Sequence, residues 1–264
     1  MNFSEKGVLG KTGLKIGRLG ISSSFGVPAA SIEEAFERGC NYFTWGTFVR
    51  GHSDQMKIAV KNIVDKGERE KLVLSYYTYA HSNYLSELYL HKKLKALGTD
   101  YVDVLLLGYF SSRPRQGLID GALKLKEKGL VKHIGISGHN RKLFPKLQKE
   151  GLFDVFHIRY NAAHRGAETE TFPYIQGDKK AGIVTFVSTK NGQLLNPKKM
   201  PAGEKALTAV DCYRFILSNS SVDACMSGAK NADQMKENLT TLDMGPMSDE
   251  EMDRVRRIGD ALHK

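Results

Sequence analysis

Residues 102–137 read VDVLLLGYFSSRPRQGLIDGALKLKEKGLVKHIGIS and contain one complete strand–helix–strand unit. The run Val102–Leu107 is almost entirely apolar, which is typical of a strand buried on both faces of a parallel sheet. Residues 117–128 mix charge with leucine, as a partly solvated helix does, and Gly129 follows as a helix stop. Residues 133–137 then predict the next strand. The stretch therefore predicts a βαβ unit with parallel strands.

The same alternation continues along the chain. Strands are predicted at 19–21, 42–45, 72–76, 102–107, 133–137, 155–160, 183–187 and 222–226, and helices at 30–36, 53–63, 84–97, 117–128, 142–150, 168–176, 208–217 and 233–242. Eight alternations without an internal linker predict an α/β fold, a (β/α)8 TIM barrel that spans residues 1–264 as a single domain. An open doubly wound sheet is the rival fold, but no GxGxxG motif follows the first strand.

Two further elements are predicted outside the repeat. Residues 7–16 predict an N-terminal β-hairpin that turns at Lys11-Thr12-Gly13 and could plug the bottom of the barrel. Residues 248–262 predict an extra C-terminal helix, because Ser248 is followed three residues later by Glu251, as in a capping box.

Composition narrows the class of protein. The 264 residues carry a net charge of +10, but the basic residues are spread along the chain without the motifs of nucleic-acid binding, so no nucleic-acid partner is expected. The longest apolar run is too short to cross a bilayer. The N-terminus lacks the apolar region of a signal peptide. The three cysteines form no CxxC pair, so we expect a cytoplasmic protein. Nothing in the sequence predicts an oligomeric state.

Several segments resemble the aldo-keto reductase family, in order and over nearly the whole chain. They are LGKTGLKIGRLG (9–20), GTDYVDVLLL (98–107), GLVKHIGIS (129–137), FDVFHIRYN (153–161) and SGAKNADQMKENL (227–239). The resemblance implies a (β/α)8 barrel that binds NADPH and reduces carbonyl groups. It therefore agrees with the fold predicted from the alternation of strands and helices.

The resemblance also shows where this chain departs from the family. The family uses a tyrosine as proton donor, a lysine paired to an aspartate that lowers the pKa of that tyrosine, and a histidine that orients the substrate. The aspartate, tyrosine, lysine and histidine positions hold Thr44, Val49, Tyr77 and Gly108 here, so none of the four residues is present. The usual catalytic set is therefore not predicted for this protein.

The positions that the family uses to bind its cofactor resemble the family more closely than the catalytic positions do. Ser137 resembles the serine that lies near the nicotinamide amide, and Lys230, Gln234 and Asn238 resemble the residues that hold the adenosine 2′-phosphate and adenine. A lysine beside a helix N-terminus favours a phosphate. The resemblance thus implies NADP as cofactor. The stacking tyrosine of the family is replaced by Ser188, and its glutamine in the sixth strand by His157.

The strand ends at the C-terminal face of a barrel form its site. The predicted catalytic residues there are His139, Tyr77 and Arg50, and the predicted substrate pocket contains Trp45, Tyr76, His157, Arg159 and Asn161. This cationic and aromatic set favours a polar or anionic small molecule. Each residue also has a structural interpretation: the aromatic rings could fill the core, the histidines could hydrogen-bond within the fold, and the arginines could form surface ion pairs.

Three functions remain open from the sequence. The first is an NADP-linked oxidoreductase with a rebuilt catalytic set. The second is a non-redox barrel enzyme, such as an isomerase or lyase, that uses His139 and Tyr77. The third is a ligand-binding member of the fold without catalysis. No metal site is predicted, because the histidines lack the spacing of metal ligands.

Overall fold

The computed structural model describes residues 2–23, 25–46, 54–79 and 87–263. Eight parallel strands close into a barrel. They are Leu19–Ser22 (β3), Tyr42–Gly46 (β4), Val73–Thr78 (β5), Val102–Leu107 (β6), Val131–Gly138 (β7), Val155–Arg159 (β8), Gly182–Phe186 (β9) and Ala224–Ser227 (β10), preceded by a hairpin of Gly7–Val8 (β1) and Lys15–Ile16 (β2). The predicted (β/α)8 barrel and its N-terminal hairpin are confirmed.

Helices alternate with the barrel strands. They are Ala29–Glu37 (α1), Asp54–Asp65 (α2), Glu87–Leu97 (α3), Gln116–Glu127 (α4), Leu143–Glu150 (α5), Ala167–Glu170 (α6), Ala209–Leu217 (α7), Ala232–Leu239 (α8) and Asp249–Leu262 (α9). No helix of the described residues is long and apolar enough to cross a membrane.

Two apolar layers hold the barrel together. One layer fills the lumen and includes Val73, Val104, Val155 and Val184. The other is a larger cluster between the strands and the surrounding helices. Successive residues of a strand point to opposite faces. On each strand, the residues two and four positions after a lumen residue therefore also face the inside of the barrel.

The hairpin closes the N-terminal end of the barrel. Leu9 and Ile16 are fully buried and pack on the lumen cluster. Gly10 approaches the first residue of β9 so closely that a Cβ on it would lie 2.3 Å from the Gly182 nitrogen. The hairpin therefore plugs the barrel from below and leaves the C-terminal end as the mouth.

The C-terminal helix α9 packs beside that mouth. Its N-terminus carries the predicted capping box, in which Ser248 and Glu251 each accept a hydrogen bond from the backbone of the other. Gly259 lies against the carbonyl of Ala162, in the loop after β8, where a Cβ would have no space. Lys190, in the loop after β9, donates a hydrogen bond to the carbonyl of Leu262. The helix thus connects two loops of the rim.

Two of the predicted helices have different bounds in the structure. The helix predicted at 168–176 is divided into α6 and a 3-10 turn at Phe172–Tyr174, because Pro173 cannot donate the backbone hydrogen bond of a continuing helix. The helix predicted at 233–242 ends at Leu239, and a 3-10 turn follows. The starts predicted at residues 53 and 84 lie outside the described residues.

Candidate active site

The centre of the mouth holds a hydrogen-bonded pair of side chains from two neighbouring strand ends. Tyr109 follows β6 and His139 follows β7, and the Tyr109 hydroxyl lies 2.9 Å from His139 Nε2. The Tyr109 side chain remains 39% exposed, so the pair is open to a ligand. The Phe186 ring stacks on His139 with a centroid distance of 5.6 Å, and the Tyr79 ring stacks on Tyr109 at 6.2 Å. These four rings form one aromatic wall.

Partial desolvation and nearby groups shift the pKa values of the pair. The pKa of His139 is lowered by desolvation and, secondarily, by the positive charge of Arg159. The pKa of Tyr109 is raised by desolvation and by Tyr79, while Arg159 opposes that rise. Both groups are therefore neutral near pH 7, and the phenol keeps a proton that it can donate.

Tyr77 lies deeper than this pair. It is the inward-facing residue near the end of β5 and is 8% exposed. Its hydroxyl donates a hydrogen bond to Ser137 Oγ over 2.9 Å. Burial raises the pKa of Tyr77, and no cation is among the causes of that shift. Tyr77 is therefore a weak acid whose clearest contact is with Ser137.

Gly108 makes the position of Tyr77 possible. A Cβ on Gly108 would lie 2.2 Å from the Tyr77 hydroxyl oxygen. Any side chain at position 108 would therefore require the Tyr77 phenol to move. The two positions at which the resemblance places the family's histidine and lysine thus form one packed unit in this chain.

Arg159 completes the mouth. It is the last residue of β8 and faces the lumen side, since it alternates with the inward-facing Val155 and His157. Its side chain is part-buried, and it makes no ion pair with a carboxylate of the described residues. Its positive charge lowers the pKa of His139 and also that of His164.

The other residues predicted for the pocket lie away from the mouth. Trp45 and Tyr76 belong to the outer cluster, where their rings are 5.5 Å apart and 4% exposed. His157 lies in the lumen below the mouth, with its Nε2 2.8 Å from the Tyr42 hydroxyl, and burial lowers its pKa to about 3. The sequence predicted these three residues for the pocket, and the structure places them in the core below or outside the mouth.

Asn161 supports the loop after β8. It is fully buried; its oxygen accepts hydrogen bonds from the backbone of Ala163 and His164, and its nitrogen donates one to the carbonyl of Val187. Asn161, predicted for the pocket, therefore connects two rim loops in the structure. Arg50, predicted as catalytic, lies outside the described residues.

The predicted cofactor residues lie at two places. Ser137 is buried at the end of β7, and its hydroxyl accepts the hydrogen bond from Tyr77. Lys230 is exposed just before α8, and its backbone N–H donates to Gln234 Oε1 over 2.9 Å. Asn238 is buried, and its nitrogen donates to Ser227 Oγ at the end of β10. The structure brings Lys230, Gln234 and Asn238 together along α8.

The sequence analysis did not predict Tyr109, Tyr79 or Phe186 as members of the candidate site. Each lies at or directly after the end of a barrel strand, and that position was the only available signal. Within the described residues, no three His, Cys, Asp or Glu side chains form a group that could hold a metal ion.

The fold is a (β/α)8 barrel, and the candidate site lies at the C-terminal mouth of its strands. The sequence matches the model of the aldo/keto reductase family over residues 9–206, and the chain belongs to this family. A search of curated proteins finds no match.

Two solved structures show the same fold at low sequence identity. One is an aldo-keto reductase of Bacillus halodurans in its holo form, with 20% identity, a TM-score of 0.78 and 97% of both chains covered. The other is an aldo/keto reductase of Klebsiella pneumoniae in complex with NADP and acetate, with 16% identity and a TM-score of 0.79, over 97% of this chain and 96% of that one.

Proposed function

We propose that the protein is an NADP-dependent oxidoreductase that reduces the carbonyl group of a polar or anionic small molecule in the barrel mouth. The observation that carries this proposal is the Tyr109–His139 pair, which offers a phenolic proton at the mouth beside the positive charge of Arg159. Membership of the aldo/keto reductase family supports the redox class.

The residues present are compatible with NADP. Ser137 uses one lone pair to accept from Tyr77 and has no acceptor for its own hydroxyl hydrogen among the described residues, so it can donate to a carboxamide oxygen. Lys230 is exposed, has no ion pair with a described carboxylate, and stands next to the N-terminus of α8, as a 2′-phosphate would require. The NADP complex of the Klebsiella pneumoniae relative supports the same choice.

The chemistry divides between cofactor and chain. When bound, NADPH supplies the hydride. Tyr109 donates its proton to the carbonyl oxygen as negative charge develops there. The positive charge of Arg159 favours the phenolate that remains, and the Nε2–H tautomer of His139 stabilises that phenolate by a hydrogen bond. Tyr77 acts indirectly, by positioning Ser137.

This set differs from the one that the family resemblance implies. The proton comes from the end of β6 instead of the loop after β4, and Arg159 provides the positive charge instead of a lysine at the end of β5. We therefore propose a divergent active site. The three described cysteines are free and buried, which supports a reducing, cytoplasmic location.

Cofactor binding tests the proposal directly. Titration with NADPH and with NADH, followed by the fluorescence of the nicotinamide, should show tighter binding of NADPH. Lys230→Met should weaken NADPH binding and leave NADH binding unchanged, because only NADPH carries the 2′-phosphate. Lys236→Met, on the exposed surface of the same helix, is the matched control.

The same titration separates the alternatives. Absence of NADPH binding at millimolar concentration would reject the redox function in favour of a non-redox enzyme or a ligand-binding protein. One observation favours those alternatives: the Ser188 hydroxyl donates to the Met226 carbonyl within the fold and provides no ring on which a nicotinamide can stack.

A further inference from the structure

Arg159 differs from the other part-buried arginines of the described chain. Six of the buried or part-buried arginines have a carboxylate oxygen within 4.0 Å, in the pairs Arg69–Asp103, Arg141–Glu170, Arg165–Asp260, Arg214–Glu251, Arg254–Glu204 and Arg256–Glu168. Arg18 instead donates to two backbone carbonyl groups. Arg159 has neither kind of partner among the described residues, although it faces the mouth.

The surroundings of Arg159 add positive charge and no negative charge. His164 and Lys190 lie on the two adjacent rim loops, and the charges of Arg159 and Lys190 both lower the pKa of His164, which burial reduces to about 4. Lys190 is itself held by the Leu262 carbonyl. Within the described residues, the acidic side chains of this rim, Glu168, Glu170 and Asp260, are engaged by Tyr160, Arg141 and Arg165.

The Arg159 guanidinium is engaged by no protein acceptor among the described residues, so its N–H groups are available to a ligand. A bound oxyanion can accept two parallel N–H···O bonds from these groups, for which the planar guanidinium is suited. The aromatic wall of Tyr79, Tyr109, His139 and Phe186 lies close to this position, since the charge of Arg159 acts on both His139 and Tyr109.

We infer that Arg159 binds the anionic group of the substrate, so that the substrate is a carbonyl compound that carries a carboxylate or a phosphate. The identity of the reacting group rests on the proposed function, whereas the anion site stands on Arg159 itself. Arg159 thus determines specificity in addition to its electrostatic effect on Tyr109.

Binding of small anions tests the site without any turnover. Isothermal titration of the full-length protein with benzoate, phenyl phosphate and the neutral benzamide should show at least one anion binding about tenfold or more tightly than benzamide. Arg159→Gln should abolish this preference, since a hydrogen bond to a charged group contributes about tenfold or more in affinity. Arg38→Gln removes the same charge at the C-terminal end of α1, on the opposite face of the barrel, and should change nothing.

The results of these titrations either identify the anionic group or overturn the inference. The anion that binds more tightly identifies the group as a carboxylate or a phosphate. Equal binding of anions and benzamide by the wild type, or an undiminished preference in Arg159→Gln, overturns the inference. If Arg159→Gln does not fold, Arg159→Lys provides the same test, because lysine keeps the charge but cannot form the bidentate contact and should bind the anion more weakly.

A kinetic comparison then connects the site to the reaction. With NADPH, 4-carboxybenzaldehyde should have a kcat/KM about tenfold or more above that of its methyl ester, and Arg159→Gln should reduce the carboxylate rate more than the ester rate. If neither aldehyde is reduced while benzoate still depends on Arg159, the proposed reaction fails and the anion site remains.

Discussion

At the scale of single residues, the positive charge of Arg159 influences the pKa values of His139 and Tyr109 at the mouth. Desolvation lowers the pKa of His139 and raises that of Tyr109, and the charge of Arg159 adds to the first shift and opposes the second. The charge of Arg159 therefore makes Tyr109 a stronger acid than its burial alone would allow.

This coupling predicts a shift that does not require activity. Arg159→Gln should raise the pKa of His139 toward its ordinary value, because the repulsion of the imidazolium by the guanidinium is removed while burial persists. Titration of the histidine ring signals by NMR measures the shift, with Arg38→Gln as control. An unchanged His139 titration would show that Arg159 does not act on the pair.

A second residue-scale prediction concerns Gly108. Gly108→Ala places a methyl group where the Tyr77 hydroxyl lies, so the phenol must move and its bond to Ser137 is lost. We expect a destabilisation of about 1–3 kcal/mol in denaturant unfolding. Gly7→Ala is the control, since its Cβ would have an ordinary contact at 3.9 Å. Equal stability of the two variants would contradict this packing.

At the scale of elements, the sequence predicts the structure best where the bounds of an element are determined by residues close to one another in the chain. The bounds of β6 are those predicted, because the run Val102–Leu107 is flanked by polar residues and glycine. The capping box of α9 was also visible, since Ser248 and Glu251 are close in sequence. Pro173 indicated that the helix predicted at 168–176 would be interrupted, but it did not indicate the position of the interruption.

The sequence was less informative about the faces of the strands. β4 and β5 are buried on both sides, so Trp45 and Tyr76 carry no polar alternation that would show them facing outward. In β8 the polar residues His157 and Arg159 do alternate with apolar ones, and both face inward. The contact between Tyr109 and His139 joins two loops 30 residues apart and depends on the parallel pairing of β6 with β7.

The hairpin provides the prediction at this scale. Leu9 is fully buried in the floor of the barrel, whereas its neighbour Val8 is 51% exposed. Leu9→Ala should lower the free energy of unfolding by about 2–5 kcal/mol, because it opens a cavity that the barrel cannot collapse. Val8→Ala should change it by less than about 0.5 kcal/mol. Similar losses for both variants would contradict the plug.

At the scale of the whole molecule, stability should depend on pH through His157. Its pKa is about 3 in the fold and about 6.5 in the unfolded chain. Between these values the unfolded chain binds a proton that the folded chain does not, so stability falls as the pH falls from 6.5 toward 3.

Replacement of His157 should flatten this dependence. In His157→Gln, the slope of unfolding free energy against pH in that interval should decrease by up to about 1.4 kcal/mol per pH unit. Urea unfolding from pH 7 to pH 4 measures both slopes. Parallel curves for the two proteins would mean that His157 is not buried in the neutral form.

The closed barrel and the match to the family model establish the fold and the family. The proposed reaction depends on the Tyr109–His139 pair at the mouth. Single-turnover oxidation of NADPH with 4-carboxybenzaldehyde tests that pair most directly. The rate is compared in the wild type, in Tyr109→Phe and in the control Tyr174→Phe, since Tyr174 is 60% exposed and lies outside the candidate site. We predict that Tyr109→Phe slows the reaction by about 10²–10⁴-fold, with unchanged NADPH affinity, while Tyr174→Phe has no effect. A Tyr109→Phe variant that reacts at the wild-type rate would contradict the assignment of the proton donor.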